Sequence, residues 1–287
     1  SCLLRALGNS TVPLVFLAVS AILNIAWDLL FVAVFHWGIA GAAYATIFAQ
    51  YVSGIGILLY VLFRCRSLLP ERKDLRFDGE ILKEIAGLSS LTCLQQSVMN
   101  FGILMVQGLV NSFGATTMAA FAAAVKIDTF AYLPVQDFGN AYSTFIAQNY
   151  GAGNKERIRR GTKESFAIST AFSLVISALV FAFAAPLMQI FVSSAETAVI
   201  ASGVRYLRIE GAFYFGIGCL FLLYGYYRAI KRAEMSVVLT VISLGIRVLL
   251  AYVLSATFLG ETGIWMAIPI GWILADLTGL LYMRKTW

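Results

Sequence analysis

Residues 12–35 read VPLVFLAVSAILNIAWDLLFVAVF, and Asp28 is their single charged residue. A helix needs ~20 mostly apolar residues to cross a bilayer, and this stretch meets that length. Only His36 and Trp37 separate it from a second apolar run, Gly38–Phe63. A cleaved leader has a shorter apolar segment and no immediate successor, so the first run is not one.

Six more runs of this kind follow: Leu88–Phe113, Met118–Gln148, Ser165–Val192, Ala198–Tyr226, Met235–Phe258 and Gly263–Met283. The expected fold is therefore an all-α polytopic integral membrane protein with eight transmembrane helices. Composition agrees: 60% of the 287 residues are hydrophobic and 13% charged, against about 45–50% and about 25% in soluble chains. That excludes a soluble enzyme, a disordered chain and a nucleic-acid module. The cysteines Cys2, Cys65, Cys93 and Cys219 lie far apart, and His36 is the sole histidine. Neither a disulfide framework nor a histidine metal site has the raw material, so no cofactor is expected.

Basic residues set orientation. Arg5 precedes the first run. Arg64, Arg66, Arg72, Lys73, Arg76 and Lys83 follow the second, and Lys155, Arg157, Arg159, Arg160 and Lys163 follow the fourth. Arg228, Lys231 and Arg232 follow the sixth, while Arg284 and Lys285 follow the last. The intervening loops carry none. Both ends are expected in the cytoplasm, in a bacterial inner membrane.

The two ends of the chain resemble each other. Arg5-Ala6-Leu7 matches Arg228-Ala229-Ile230, and at the same offset Val15 matches Val238 and Ser20 matches Ser243. After a two-residue shift, Gly38-Ile39 matches Gly263-Ile264. Runs one and two thus pair with runs seven and eight in one orientation, as a parallel transporter repeat requires. The expected organisation is an incomplete lobe at 1–63, a cytoplasmic connection at 64–86 and a complete six-helix lobe at 87–287. On that reading, four helices of the first lobe are absent.

Run four carries a polar stripe: Asp128, Tyr132, Gln136, Asn140, Thr144 and Gln148, with Lys126 and Asp137 beside it. Three charges cost up to ~9 kcal/mol on the insertion scale, and the nine Val, Ile, Leu and Phe residues between Ala119 and Ala147 return only ~4. The polar side is expected to face other helices or a water-filled cavity. Pro134 should kink the helix. Run three adds Gln96 and Asn100. Serines on runs five and seven read as close-packing positions. Asn24 and Asp28 lie one turn apart, as do Glu210 and Tyr214. Arg247 is deep enough to need a partner, with Glu210 or Asp128 available. Lys126 is a weaker partner for Asp128, since residues two apart on a helix do not face each other.

Leu4-Arg5-Ala6-Leu7-Gly8, then Asn24-Ile25 with Asp28, then Gly38–Thr46 resembles helices five and six of the multidrug and toxic-compound extrusion (MATE) transporters. Pro134, Gly139 and the Gln148-Asn149-Tyr150-Gly151-Ala152-Gly153-Asn154 run resembles helix eight and its following loop. Tyr206–Ile209 with Arg228-Ala229 resembles helix ten and its exit. The resemblance implies two six-helix lobes around a cavity, and export of cationic or amphiphilic drugs or metabolites in exchange for H+ or Na+. Some members use a glutamate on helix seven and an aspartate on helix ten. Gln95, Gln96 and the Gly216-Ile217-Gly218 stretch stand there instead.

The acids left as ion-coupling candidates are Asp128, Glu210, Asp137 and Asp276. Gln96, Asn100, Tyr132, Gln136, Asn140, Tyr214 and Arg247 are the candidate cavity lining. The expected partners are a small-molecule substrate and the lipid bilayer, with no nucleic acid. The alternatives are a lipid-linked oligosaccharide flippase of the same superfamily and an inactive transporter fragment. A membrane enzyme holding Mg2+ would need clustered acids, which no Asp-x-x-Asp pattern supplies.

Overall fold

The computed structural model describes residues 2–66 and 78–286, and among these no strand occurs. The helices are α1 (Cys2–Ala6), α2 (Thr11–Asp28), α3 (Gly38–Arg64), α4 (Gly79–Asn111) and α5 (Ala115–Gly151). There follow α6 (Lys155–Phe191), α7 (Thr197–Gly211), α8 (Tyr214–Ala229), α9 (Ala233–Ser255) and α10 (Glu261–Thr286). A π-helical stretch, Leu29–Val34, extends α2. Among the described residues seven helices are long and apolar enough to span a membrane, or eight when α7 and α8 are taken as one bent span. The chain is a multi-pass helical membrane protein. Residues 67–77, which include Arg72, Lys73 and Arg76 of the expected connection, lie outside the described residues.

The chain divides into two compact units, Ser1–Gly79 and Glu80–Trp287. In the first, α2 and α3 form an antiparallel hairpin. Ser20 donates to the Ala49 carbonyl at 3.0 Å, and Asn24 Nδ2 to Thr46 Oγ1 at 3.4 Å. The π-helical stretch ends α2 in a tight aromatic turn, where Phe31 stacks on Trp37 at 5.1 Å.

In the second unit α8 is the central helix. Leu220, Leu222, Leu223, Tyr224, Tyr226 and Tyr227 are all buried. A helix that is apolar on all sides belongs inside a bundle. The serines behave as packing positions. A β-carbon on Gly218 of α8 would sit 2.9 Å from both Ser169 Oγ and Ser173 Oγ of α6. One on Gly271 of α10 would overlap the Ser243 carbonyl of α9.

Several expectations change. The sixth run is not one continuous helix, because α7 and α8 meet at 52° across Ala212 and Phe213. Glycine is a poor helix former, and Gly211 lies so close to α6 that a β-carbon there would meet Val180 at 3.2 Å. Helix α5 runs unbroken through Pro134. The non-helical backbone lies instead at Phe183 in α6, three residues before Pro186, where the ring displaces the preceding turn. Helix α4 starts at Gly79, ahead of the expected Leu88, and exposes Ile81, Leu82 and Ile85. Helix α6 starts at Lys155, so its basic segment is helical rather than a loop.

The Gln148–Asn154 run does end α5. Gly153 takes φ +69°, and the Asn154 N–H returns to the Asn149 carbonyl at 3.0 Å. Asn154 Oδ1 then accepts from the Arg157 N–H at 3.0 Å and caps α6. Gly151 stays helical, so only one of the two glycines is used for the turn. The offset of 223 also appears in the backbone. The Asn9 N–H bonds to the Leu4 carbonyl and the Arg232 N–H to the Tyr227 carbonyl, both at 2.9 Å. Gly8 and Lys231 hold φ at +85° and +61° in the two turns.

Candidate ion-coupling site

Four helices of the second unit converge on one group of side chains. Asp128 comes from α5, Tyr206 and Glu210 from α7, Tyr214 from the first turn of α8, and Arg247 from α9. The Tyr214 hydroxyl donates to Asp128 Oδ1 in a short hydrogen bond. Tyr206 and Glu210 lie beside Asp128, close enough to interact with its carboxyl group. All four are buried, with Asp128 at 4% and Glu210 at 6% exposure.

Asp128 Oδ2 and Glu210 Oε2 have no donor among the described residues. Two carboxylates are acceptors only, so they lie side by side in a dry site when a proton or a cation sits between them. Arg247 is near enough to be felt by both acids. Yet its Nε is buried without a partner, and among the described residues it forms no ion pair with either. The expected Arg247–Glu210 or Arg247–Asp128 contact is therefore absent among them, and Arg247 acts across a distance. Lys126 points away: its ammonium lies over the Phe191 ring at 5.8 Å from the centroid.

One end of the cluster is sealed. Tyr206 meets Trp265 edge-on at 4.9 Å and Phe121 edge-on at 5.6 Å, and Phe121 stacks on Trp265 at 5.5 Å. One turn beyond, Glu261 accepts from Thr117 at 2.8 Å and from Ser202 at 3.0 Å, with Arg205 at 3.3 Å. Thr117, Phe121 and Asp128 on α5 run parallel to Ser202, Tyr206 and Glu210 on α7. On α7 the clamp, the aromatic layer and the acid layer follow at one-turn spacing, whereas on α5 Asp128 lies two turns beyond Phe121.

The other candidates disperse. Tyr132 and Gln136 continue the α5 stripe half-buried, and the Tyr132 ring stacks with Phe221 at 6.4 Å. Asn140 and Asp137 are exposed. Gln96 and Asn100 are exposed on α4, whereas Gln95 is buried. Asp276 is buried on α10 beside the Cys219 thiol, with Oδ1 unpartnered among the described residues. In the first unit, Asp28 Oδ1 is buried without a partner one turn from the Asn24–Thr46 pair. Tyr206 was not foreseen. Its signal was present, since it stands one turn before Glu210 as Tyr214 stands one turn after. No group of three or more His, Cys, Asp or Glu converges among the described residues. A bound cation would meet only hard oxygen donors.

The MatE family model matches residues 91–253. Over 99% of its length the chain is 32% identical to the probable multidrug resistance protein YpnP of Bacillus subtilis, covering 63% of that protein. It is 27% identical over 98% of its length to the probable multidrug resistance protein NorM of Thermotoga maritima, covering 61%. A solved structure titled as the outward-facing conformation of a multidrug resistance MATE family transporter superposes with a TM-score of 0.91 at 25% identity. It covers 99% of this chain and 64% of that one. The chain belongs to the MATE family, a family of transporters rather than enzymes. It spans about three-fifths of the length of these relatives.

Proposed function

We propose that this protein is a secondary active antiporter that exports cationic or amphiphilic drugs or metabolites in exchange for H+ or Na+. The observation that carries this reading is the buried Asp128–Glu210 pair, to which the Tyr214 hydroxyl donates and which lacks a contacting cationic side chain among the described residues. A permanently ion-paired acid would stay charged through a transport cycle. This pair instead has an open place for one proton or one small cation. Loading it fastens α5 to α7. Unloading it leaves two like charges in a low-dielectric site, which favours a different arrangement of those helices.

The exposed Asn140, Asp137 and Gln148 on α5, with Gln96 and Asn100 on α4, offer neutral and acidic contacts to an amphiphilic substrate. The lobe organisation at 1–63, 64–86 and 87–287, the inner-membrane location and cytoplasmic ends belong to the same proposal. The repeated turn at Asn9 and Arg232 and the loop charges support it.

The test is efflux of a cationic dye from proteoliposomes under an imposed H+ or Na+ gradient. Asp128→Asn and Glu210→Gln should each abolish ion-driven efflux while the protein stays folded. Wild-type efflux in both variants would overturn the assignment.

A further inference from the structure

The ion site leaves the cleft between α5 and α6 unused. Two cavities lie along that cleft. The first, about 550 Å3, is floored by Ala115, Ala119 and Ala122 of α5 and bounded by Phe191, with Lys126 and Glu196 in its lining. The second, about 290 Å3, is wholly apolar and is lined by Ile127, Phe130, Leu179, Phe183 and Leu187. They adjoin: Lys126 lines one and Ile127 the other. The backbone departure of α6 at Phe183 stands in the wall of the second.

Lys126 is exposed and has no acid within ion-pairing distance among the described residues. Its α-carbon lies eleven residues, about 16 Å, into a membrane-spanning helix. Its side chain leans back along the helix toward the first cavity, where the Phe191 ring receives the ammonium. A cation within a membrane-spanning helix needs an anion or water. Glu196, also exposed, is not its partner.

The groove therefore offers a fixed positive group, a separate negative group beside it and an oily slot that begins one residue further along α5. A zwitterionic amphiphile complements all three. Lysine is a phosphate binder, a carboxylate receives an ammonium, and the slot takes hydrocarbon. The bilayer supplies such molecules in excess. We propose that the α5–α6 groove holds one phospholipid with a phosphoethanolamine headgroup. Its phosphate lies against Lys126, its amine against Glu196 and one acyl chain in the second cavity.

Native mass spectrometry of the purified 287-residue chain, offered phosphatidylethanolamine, phosphatidylglycerol and phosphatidylcholine in equal amounts, tests this. One phosphatidylethanolamine should be retained in preference. Lys126→Gln and Leu179→Trp, which removes the charge or fills the slot, should each lower its retention about tenfold. Glu196→Gln should turn the preference toward phosphatidylglycerol. Where a variant fails to fold, a photoactivatable acyl chain on phosphatidylethanolamine reads the site in the unaltered chain. It should label the Phe183–Leu187 segment. Equal retention of the three lipids would overturn the proposal. So would unchanged retention in folded Lys126→Gln, labelling confined to other helices, or a lipid-free dimer buried through this face.

Discussion

Tyr214 and Asp128, 86 residues apart, are joined by a hydrogen bond made just past the bend between α7 and α8. The bend restarts the helix at Tyr214, and its hydroxyl meets the carboxylate that Glu210 approaches from the preceding segment. Tyr214→Phe should therefore leave the fold intact but weaken the hold on Asp128. The expected loss is about 1.5–3 kcal/mol, the range for a hydrogen bond to a charged group. Thermal unfolding in detergent and dye efflux in proteoliposomes measure the two consequences.

If Asp128 and Glu210 act as the one ion site proposed, their substitutions should not add. The Asp128→Asn, Glu210→Gln double variant is expected to show the same loss of ion-driven efflux as either single variant, with the gradient-independent leak of dye unchanged in all three. Losses that multiply would mean two independent sites. Efflux rates across a pH series provide the second reading, because a variant without the pair should lose its dependence on the coupling gradient.

Close helix crossings can be graded in advance. A β-carbon on Gly271 would strike the Ser243 carbonyl, and backbone does not step aside as a side chain does. Gly271→Ala should cost about 1–3 kcal/mol or more. Gly245→Ala meets nothing within 4 Å and lies inside α9, so it should be neutral or stabilising. Melting temperatures of the two variants compare them directly.

The α5–α6 turn separates its two glycines. Gly153 holds φ +69°, and Gly153→Ala should destabilise by about 1 kcal/mol. Gly151 is helical, so Gly151→Ala should not. Thermal unfolding again decides, and equal effects at both positions would contradict the turn geometry.

Much of this molecule was legible before any coordinates. Apolar run length suffices to place most spans, because a bilayer demands about 20 apolar residues per crossing helix. The Gln148–Asn154 cap could be read because capping and glycine turns are local. The serine spacing on α6 foretold packing, since small side chains at one-turn intervals form a continuous ridge. The matched residues at Arg5 and Arg228 stand before turns with the same bond pattern, because a turn tolerates many sequences that share one geometry.

The site was legible only in part. Glu210 and Tyr214 are one turn apart in an ideal helix, but that spacing did not reveal the break between them. Nor could the stripe on α5 say which of its members is buried. Burial depends on which helices cover each turn: α7 and α8 cover Asp128, whereas Asn140 is left exposed. The sequence alone settled that this chain is a bundle of membrane-spanning helices with polar faces, because length, hydropathy and charge act through each segment separately. Only the tertiary structure decided that Asp128 and Glu210 lie together, that Tyr206 packs beside them and that Arg247 forms no ion pair with either among the described residues. Those facts depend on how helices from distant parts of the chain pack, and no local spacing encodes that.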